Sequence, residues 1–155
     1  MGNAETRRNL INSIYLAPAE LEEINQYLQE KYRRMEQDEI RYENYKLDDA
    51  EIVGIAFGTT SRVMYSAVDK LREKGIKAGM LRPITLFPFP KPQIDELTRT
   101  ERVRAFLVVE MSNGQMVDDV RLVVEGRKPV HFYNRMGGIV PKVDELIEQF
   151  EKIAE

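Results

Sequence analysis

A chain of 155 residues with 43% hydrophobic side chains can bury one core but hardly two, which excludes a disordered polypeptide and points to one domain with an appendage. Its formal charge of −3, from 23 basic and 26 acidic residues, leaves no basic footprint for nucleic acid. The absence of cysteine excludes iron–sulfur ligation, a cysteine-type zinc and disulfides within the chain, and one histidine leaves little for any other metal.

The first residues, Met1 to Asn9, carry two arginines but no apolar run and no small-residue cleavage site, so they do not read as a secretory signal. The longest apolar run, around Ile52 to Phe57, falls far short of the ~20 residues that span a bilayer. No membrane partner and a cytoplasmic address are expected. Up to Asp49 the chain is polar and helical in period, which divides it into a helical linker or appendage over 1–49 and a domain over 50–155. Within the linker, Leu21, Ile24, Leu28, Tyr32 and Met35 recur at spacings of three and four and predict one amphipathic helix from Pro18 to about Glu39. Pro18 suits its first turn, Glu20, Glu22 and Glu23 suit its positive end, and Lys31, Arg33 and Arg34 lie toward the other. The stripe is too narrow for a core of its own, so it must lie on the domain or on a partner.

From Ala50 onward apolar runs predict strands over Ile52–Phe57, Ile76–Leu81, Ala105–Val109 and Val130–Tyr133. Helical faces fall between and after them: Val63, Ala67, Val68 and Leu71; a short one around Ile94–Leu97; Val117, Val120 and Val124; and Val143, Leu146, Ile147 and Phe150. The strand runs are apolar at consecutive rather than alternate positions, so both sheet faces are covered. The expected class is a three-layer α/β/α sandwich with a mainly parallel sheet, preceded by the helical linker. Ligands and partners of such a sheet meet the loops after the strands' carboxyl ends. Those loops are Gly58–Ser61, Arg82–Pro90, Glu110–Gln115 and Asn134–Pro141.

In Gly58-Thr59-Thr60-Ser61 the hydroxyls can cap the first amides of a helix, and a phosphate would use the same amides. Arg62, Val63 and Met64 stand where a dinucleotide fingerprint needs glycines, which favours capping. Phe87-Pro88-Phe89-Pro90 is a stiff segment whose two rings suit docking as well as packing over the sheet edge. Glu110, at a strand tip, can serve as a base or hold a partner's arginine. With no nucleophile or second carboxylate in its motif, a structural or interface role is preferred. His131 alternates with apolar neighbours and reads as a sheet residue rather than a ligand. Arg135, Gly137 and Gly138 form a basic loop that suits a subunit contact and, less commonly, a coenzyme phosphate. The seven methionines are spread along the chain and read as core filler.

Asn9-Leu10-Ile11-Asn12-Ser13-Ile14-Tyr15-Leu16, Glu51–Ser61, Leu81–Pro90, Val108–Val117 and Pro129–Pro141 together resemble the alpha subunit of 2-oxo acid:ferredoxin oxidoreductases, most closely the branched-chain type acting on 3-methyl-2-oxobutanoate (2-ketoisovalerate). The most specific parts are Arg82-Pro83-Ile84-Thr85-Leu86-Phe87-Pro88-Phe89-Pro90 and Val109-Glu110-Met111-Ser112-Asn113-Gly114-Gln115-Met116. The resemblance implies a transketolase C-terminal-like domain of an enzyme that decarboxylates a 2-oxo acid on thiamine diphosphate, passes the acyl group to coenzyme A and sends electrons through iron–sulfur clusters to ferredoxin. The chain departs from that inventory: it has no Gly-Asp-Gly run for a magnesium diphosphate, no cysteine, and no room for the preceding pyrimidine-binding domain. No catalytic, cofactor-binding or metal residues are therefore assigned, and thiamine diphosphate, magnesium and the clusters are expected in the parent complex. Met1, with Gly2, is expected to be a start introduced inside a longer subunit, although a split gene would begin in the same way. The resemblance implies an architectural role beside the other subunits; Arg82, Phe87, Phe89, Glu110, Asn113, Gln115 and Arg135 are expected as contact residues because they occupy the loops at the binding edge of the sheet. Alternative expectations are a 2-oxoglutarate or pyruvate enzyme of the same class, a free-standing nucleotide or coenzyme module using Gly58–Ser61 and Arg135–Gly138, and self-pairing of an isolated domain.

Overall fold

The computed structural model describes residues 13–155, so Met1, Gly2 and the Asn9–Asn12 end of the first matching stretch lie outside the described residues. Two compact units follow one another, the first ending at Gln37 and the second running from Asp38 to Glu155. The first contains all but the last residue of the expected amphipathic helix, α1 (Pro18–Asp38). In the second, β1 (Tyr42–Tyr45), β2 (Ile52–Ala56), α2 (Gly58–Glu73), β3 (Ala78–Pro83), α3 (Lys91–Arg99), β4 (Ala105–Glu110), α4 (Met116–Val124), β5 (Val130–Asn134) and α5 (Val143–Ala154) follow in order.

The five strands form one sheet in the order β1-β3-β2-β4-β5, parallel except for β1. Every residue of β2 and β4 is buried, as runs apolar at consecutive positions require. Val53, Ile55, Phe106 and Val108 pack with α3 and α4 on one face. Ile52, Ala56, Leu107 and Val109 pack with α2 and α5 on the other. The chain steps one way from β2 to β3 and the other way from β3 to β4. Right-handed crossovers then put α2 and α3 on opposite faces. The expected sandwich, with its mainly parallel sheet, is the fold observed.

The sheet begins earlier than the sequence pattern indicates, which corrects the boundary at 49/50. Tyr42–Tyr45 pairs antiparallel with β3, and Leu47 and Ala50 belong to the core. Strand β1 is an outer, largely exposed strand, so it carries no apolar alternation and reads as linker; only its pairing reveals it. Gly79 permits the return toward β2, because a Cβ there would lie 2.6 Å from the Lys46 carbonyl oxygen and 2.8 Å from Ala50 Cβ. Arg72 of α2 fastens the same segment: its guanidinium donates to the carbonyls of Ala78 and Lys46, both at 2.7 Å, and pairs with Asp49 at 2.7 Å. Asp69 accepts from Tyr45 Oη at 2.7 Å and pairs with Lys46, tying β1 to α2.

Helix α4 has no cap from its own N-cap residue, Gln115. Glu110, the last residue of β4 and only 1% exposed, takes that role. Its Oε1 accepts from Val117 N at 2.8 Å, and its Oε2 accepts from Ser112 Oγ at 2.8 Å and from Gln115 N and Met116 N, both at 3.2 Å. A carboxylate is suited to this place because it only accepts, and because the helix start carries partial positive charge.

Two stability predictions follow from these contacts. Glu110→Ala leaves the two buried amides of Met116 and Val117, and the part-buried amide of Gln115, without their acceptor, so urea unfolding should show a loss of about 2–4 kcal/mol. An unchanged midpoint would remove the capping account. Lys46 first, and Tyr45 second, hold the Asp69 carboxyl below the usual carboxylate range. A carboxyl depressed in the folded state contributes stability above its unfolded pKa, about 3.9, and loses it as pH falls through the lower folded value. Asp69→Asn should therefore melt earlier than the parent protein near neutral pH, with the difference closing in acid. A gap constant across that titration would contradict the ion pair.

Candidate functional site

The chain reverses direction across the sheet between β2 and β4, and the loops beyond their carboxyl ends flank that switch point. Gly58 is already the first residue of α2 rather than a loop residue. The expected hydroxyl caps are not formed: Thr60 Oγ1 donates to the Phe57 carbonyl and Ser61 Oγ to the Gly58 carbonyl, each at 2.7 Å. A hydroxyl inside the first turn reaches back to a carbonyl three residues earlier; to cap the amides it would have to occupy the N-cap position, which here is Phe57.

The Phe87-Pro88-Phe89-Pro90 segment divides its two rings. Phe89 is 6% exposed and joins the core with Ile94 and Leu97, whereas Phe87 is 55% exposed. Thr85 pins the turn: its Oγ1 donates to the Pro88 carbonyl at 2.8 Å and accepts from Arg41 N at 3.0 Å. Phe89 therefore supports the loop from beneath and is corrected as a contact residue. Glu110 is corrected likewise, because its oxygens are taken by the α4 cap. A residue beside this edge reaches the loop surface only if its side chain leaves the interior, and the side chains of these two do not.

Arg82, at the end of β3, pairs with Glu43 of β1 at 3.2 Å and keeps its Nε buried without a hydrogen-bond partner. Asn113 and Gln115 are exposed on the β4–α4 turn. The Asn134 amide donates to the Ser112 carbonyl at 2.8 Å and so holds that turn beside the end of β5. Arg135 lies 3.8 Å from Glu145. The Glu145 carboxylate is held low first by the Lys142 amide, then by the Tyr133 hydroxyl and the Arg135 charge. Arg135 thus faces a carboxylate of its own chain. It lies beyond β5 and Gly58 beyond β2, with β4 between those strands, so the two halves of the expected phosphate module do not converge. His131 is exposed on β5, where its backbone pairs in register with Leu107.

Apart from Phe87, already expected as a contact residue, what the motifs missed is apolar. Ile84, Leu86 and Phe87 after β3, Met111 after β4, and Met136, Ile139 and Val140 after β5 are all 36–55% exposed. Two of the methionines read as filler are thus on the surface, while Met64, Met80 and Met116 are buried. These three loops line one edge over three strand spacings, about 14 Å. The signal in the sequence was large apolar residues inside proline- and glycine-framed turns, where no periodicity calls for burial. Away from this edge, an open groove of about 670 Å³ between α3 and α4 is lined by Lys91, Asp95, Leu122 and Arg127, among others. Asp95 there is neutralised by Arg127 at 2.9 Å and Arg99 at 2.8 Å. No helix among the described residues is long and apolar enough to cross a membrane.

The family profile described as pyruvate:ferredoxin oxidoreductase core domain II matches residues 50–146. The ketoisovalerate oxidoreductase subunit VorB of Methanothermobacter thermautotrophicus is 50% identical over 153 residues, covering 99% of this chain and 43% of that protein. The 2-oxoglutarate synthase subunit KorA of Methanocaldococcus jannaschii is 35% identical over 116 residues, covering 75% and 30% of the two chains. This chain therefore spans less than half the length of these relatives. Among solved structures, a 2-oxoglutarate:ferredoxin oxidoreductase from Magnetococcus marinus superposes with a TM-score of 0.72 at 19% identity, covering 91% of this chain and 24% of that one. A split-gene transketolase superposes at 0.59 with 17% identity, covering 71% and 40%. At those identities the superpositions speak for the fold, a transketolase-like α/β domain. The profile, which covers more than half of the chain, and the 50% identical relative together show that this chain belongs to the pyruvate:ferredoxin oxidoreductase core domain II family.

Proposed function

We propose that the chain is a non-catalytic assembly domain of a thiamine diphosphate-dependent 2-oxo acid:ferredoxin oxidoreductase, and that its carboxyl-edge loops dock against other subunits of that complex. The observation that carries this reading is the rim itself. Seven large apolar side chains on three loops of one edge are far more than scattered surface hydrophobics require, and such patches serve protein contact. Phe87, with Arg82, Asn113, Gln115 and Arg135 around it, forms the polar-framed surface; Phe89 and Glu110 hold its loops in place from inside.

The reaction of the complex is the oxidative decarboxylation of a branched-chain 2-oxo acid to carbon dioxide and an acyl-coenzyme A, with two electrons passed to ferredoxin. The 50% identity to a ketoisovalerate oxidoreductase subunit supports that substrate over 2-oxoglutarate or pyruvate. The donor set of this chain does not fit a magnesium diphosphate. Glu110 is committed to four donors, and among the described residues no group of three or more His, Asp or Glu side chains is placed to hold a metal. The cofactor is assigned to the part of the relatives that this chain does not span.

The test replaces Phe87→Asp together with Met136→Asp. Both positions are exposed, so the melting midpoint of the chain should move little. Co-purification with the remaining subunits, and their 2-oxo acid-dependent reduction of a low-potential dye, should fall by about tenfold or more. Intact assembly and turnover in the double variant would sink the docking reading. A preference of the restored complex for 2-oxoglutarate would sink the branched-chain assignment alone.

A further inference from the structure

The seven methionines hold the only sulfur of the chain, because it has no cysteine. The fold divides them by exposure. Met64 and Met80 are fully buried and Met116 is 3% exposed; Met35 is partly covered on α1, and Met1 lies outside the described residues. Met136, 53% exposed, and Met111, 36% exposed, stand instead on the carboxyl-edge loops, among the apolar residues of the rim. A thioether is apolar and polarizable, so it suits a docking surface only while it stays reduced.

Met136 is the more open of the two. It precedes Gly137 and Gly138, both at positive φ, and a Cβ at either would meet no atom within 4 Å. Ile139 N donates to the Met136 carbonyl at 3.3 Å and closes the turn, so the two residues inside it have no side chains to cover the thioether. Met111 stands between buried Glu110 and Ser112, whose hydroxyl donates to that carboxylate at 2.8 Å, so its backbone is held on both sides.

We propose that Met136 and, more slowly, Met111 are oxidation sites through which hydrogen peroxide blocks docking of the rim. This rests on the docking reading and adds a modification to it. Peroxide transfers one oxygen atom to the thioether sulfur of the unassembled chain; the sulfur gives up two electrons, and the peroxide is reduced to water. The reaction proposed for the complex releases two low-potential electrons, and dioxygen that takes them with two protons becomes peroxide, so the complex can itself generate the oxidant. The sulfoxide is a polar acceptor. It is hydrated on the free chain and loses that water on docking. Ile84, Leu86, Phe87, Ile139 and Val140 offer it no side-chain donor. Arg135, its neighbour in sequence, faces Glu145 at 3.8 Å. Asn113 and Gln115 lie on the Met111 turn and can hydrate or bond an oxygen there, so the larger loss comes from Met136. The covered methionines stay unmodified while the chain is folded, because susceptibility follows exposure.

The test oxidises the isolated chain with hydrogen peroxide, removes the excess with catalase and follows each methionine by peptide mass spectrometry. Met136 should gain one oxygen first and Met111 next, with Met64, Met80 and Met116 unmodified and the melting midpoint little changed. Co-purification of the treated chain with untreated remaining subunits should fall about tenfold, and methionine sulfoxide reductase with a thiol reductant should restore it. A variant carrying Met111→Leu and Met136→Leu, compared with itself before and after peroxide, should show no loss, although Met35 remains in it. Undiminished docking of a chain oxidised at Met136 would overturn the inference, and so would a loss of docking by the leucine variant on treatment. Assembly of the Phe87→Asp, Met136→Asp variant would instead remove the docking reading and this inference with it; failure of that variant beside full docking of the oxidised chain would remove the oxidation inference alone.

Discussion

Strands β2 and β4 run through the middle of the sheet with every side chain buried, and that double burial sets the rest of the second unit. A strand covered on both faces must be apolar at consecutive positions and must have a helical layer above and below. Alternate residues of β2 and β4 therefore feed two separate cores, one under α3 and α4 and one under α2 and α5. Gly54 shows how close the second layer comes: a Cβ there would lie 2.3 Å from Met64 Sδ and 3.0 Å from the Phe150 ring. The same constraint puts the polar residues of these strands at their tips, where the sheet meets its loops.

At those tips the chemistry is spent on holding loops. The Glu110 side chain is buried at the end of β4, and its oxygens are occupied by the start of α4 and by Ser112, so it orders a turn rather than offering a base. Thr85 fixes the turn after β3, and the Asn134 amide holds the β4 turn against β5. Fixed loops with apolar outer surfaces suit recognition by shape, because little is lost in ordering them on contact. The proline-framed pair makes the division plain: one ring anchors the loop, and the other faces outward from it.

The outer strand β1 depends on a different set of forces. It has no apolar alternation to place it, and it is held by its ladder to β3, by the Asp69 pairing with Tyr45 and Lys46, and by the Arg72 fork. These are exposed or half-exposed contacts, individually weak, so the strand relies on several at once. An outer strand so tied also protects the edge of β3 from foreign pairing.

The sequence alone determined the class of the fold, the four parallel strands and every helix, because each rests on a local period of apolar residues that burial enforces. It also determined the family, through two loop motifs too specific to be generic turns, and it identified α1 to within one residue at its end. Tertiary structure decided what no local period carries. Strand β1 exists by pairing with residues some forty positions away; Phe89 and Phe87 part company because only one of them meets Ile94 and Leu97; Glu110 became a cap because α4 starts against it. Apart from Phe87, the apolar rim went unread for the same reason, since exposure is a property of neighbours in space, and the loops that share this edge are separated along the chain by whole helices and strands.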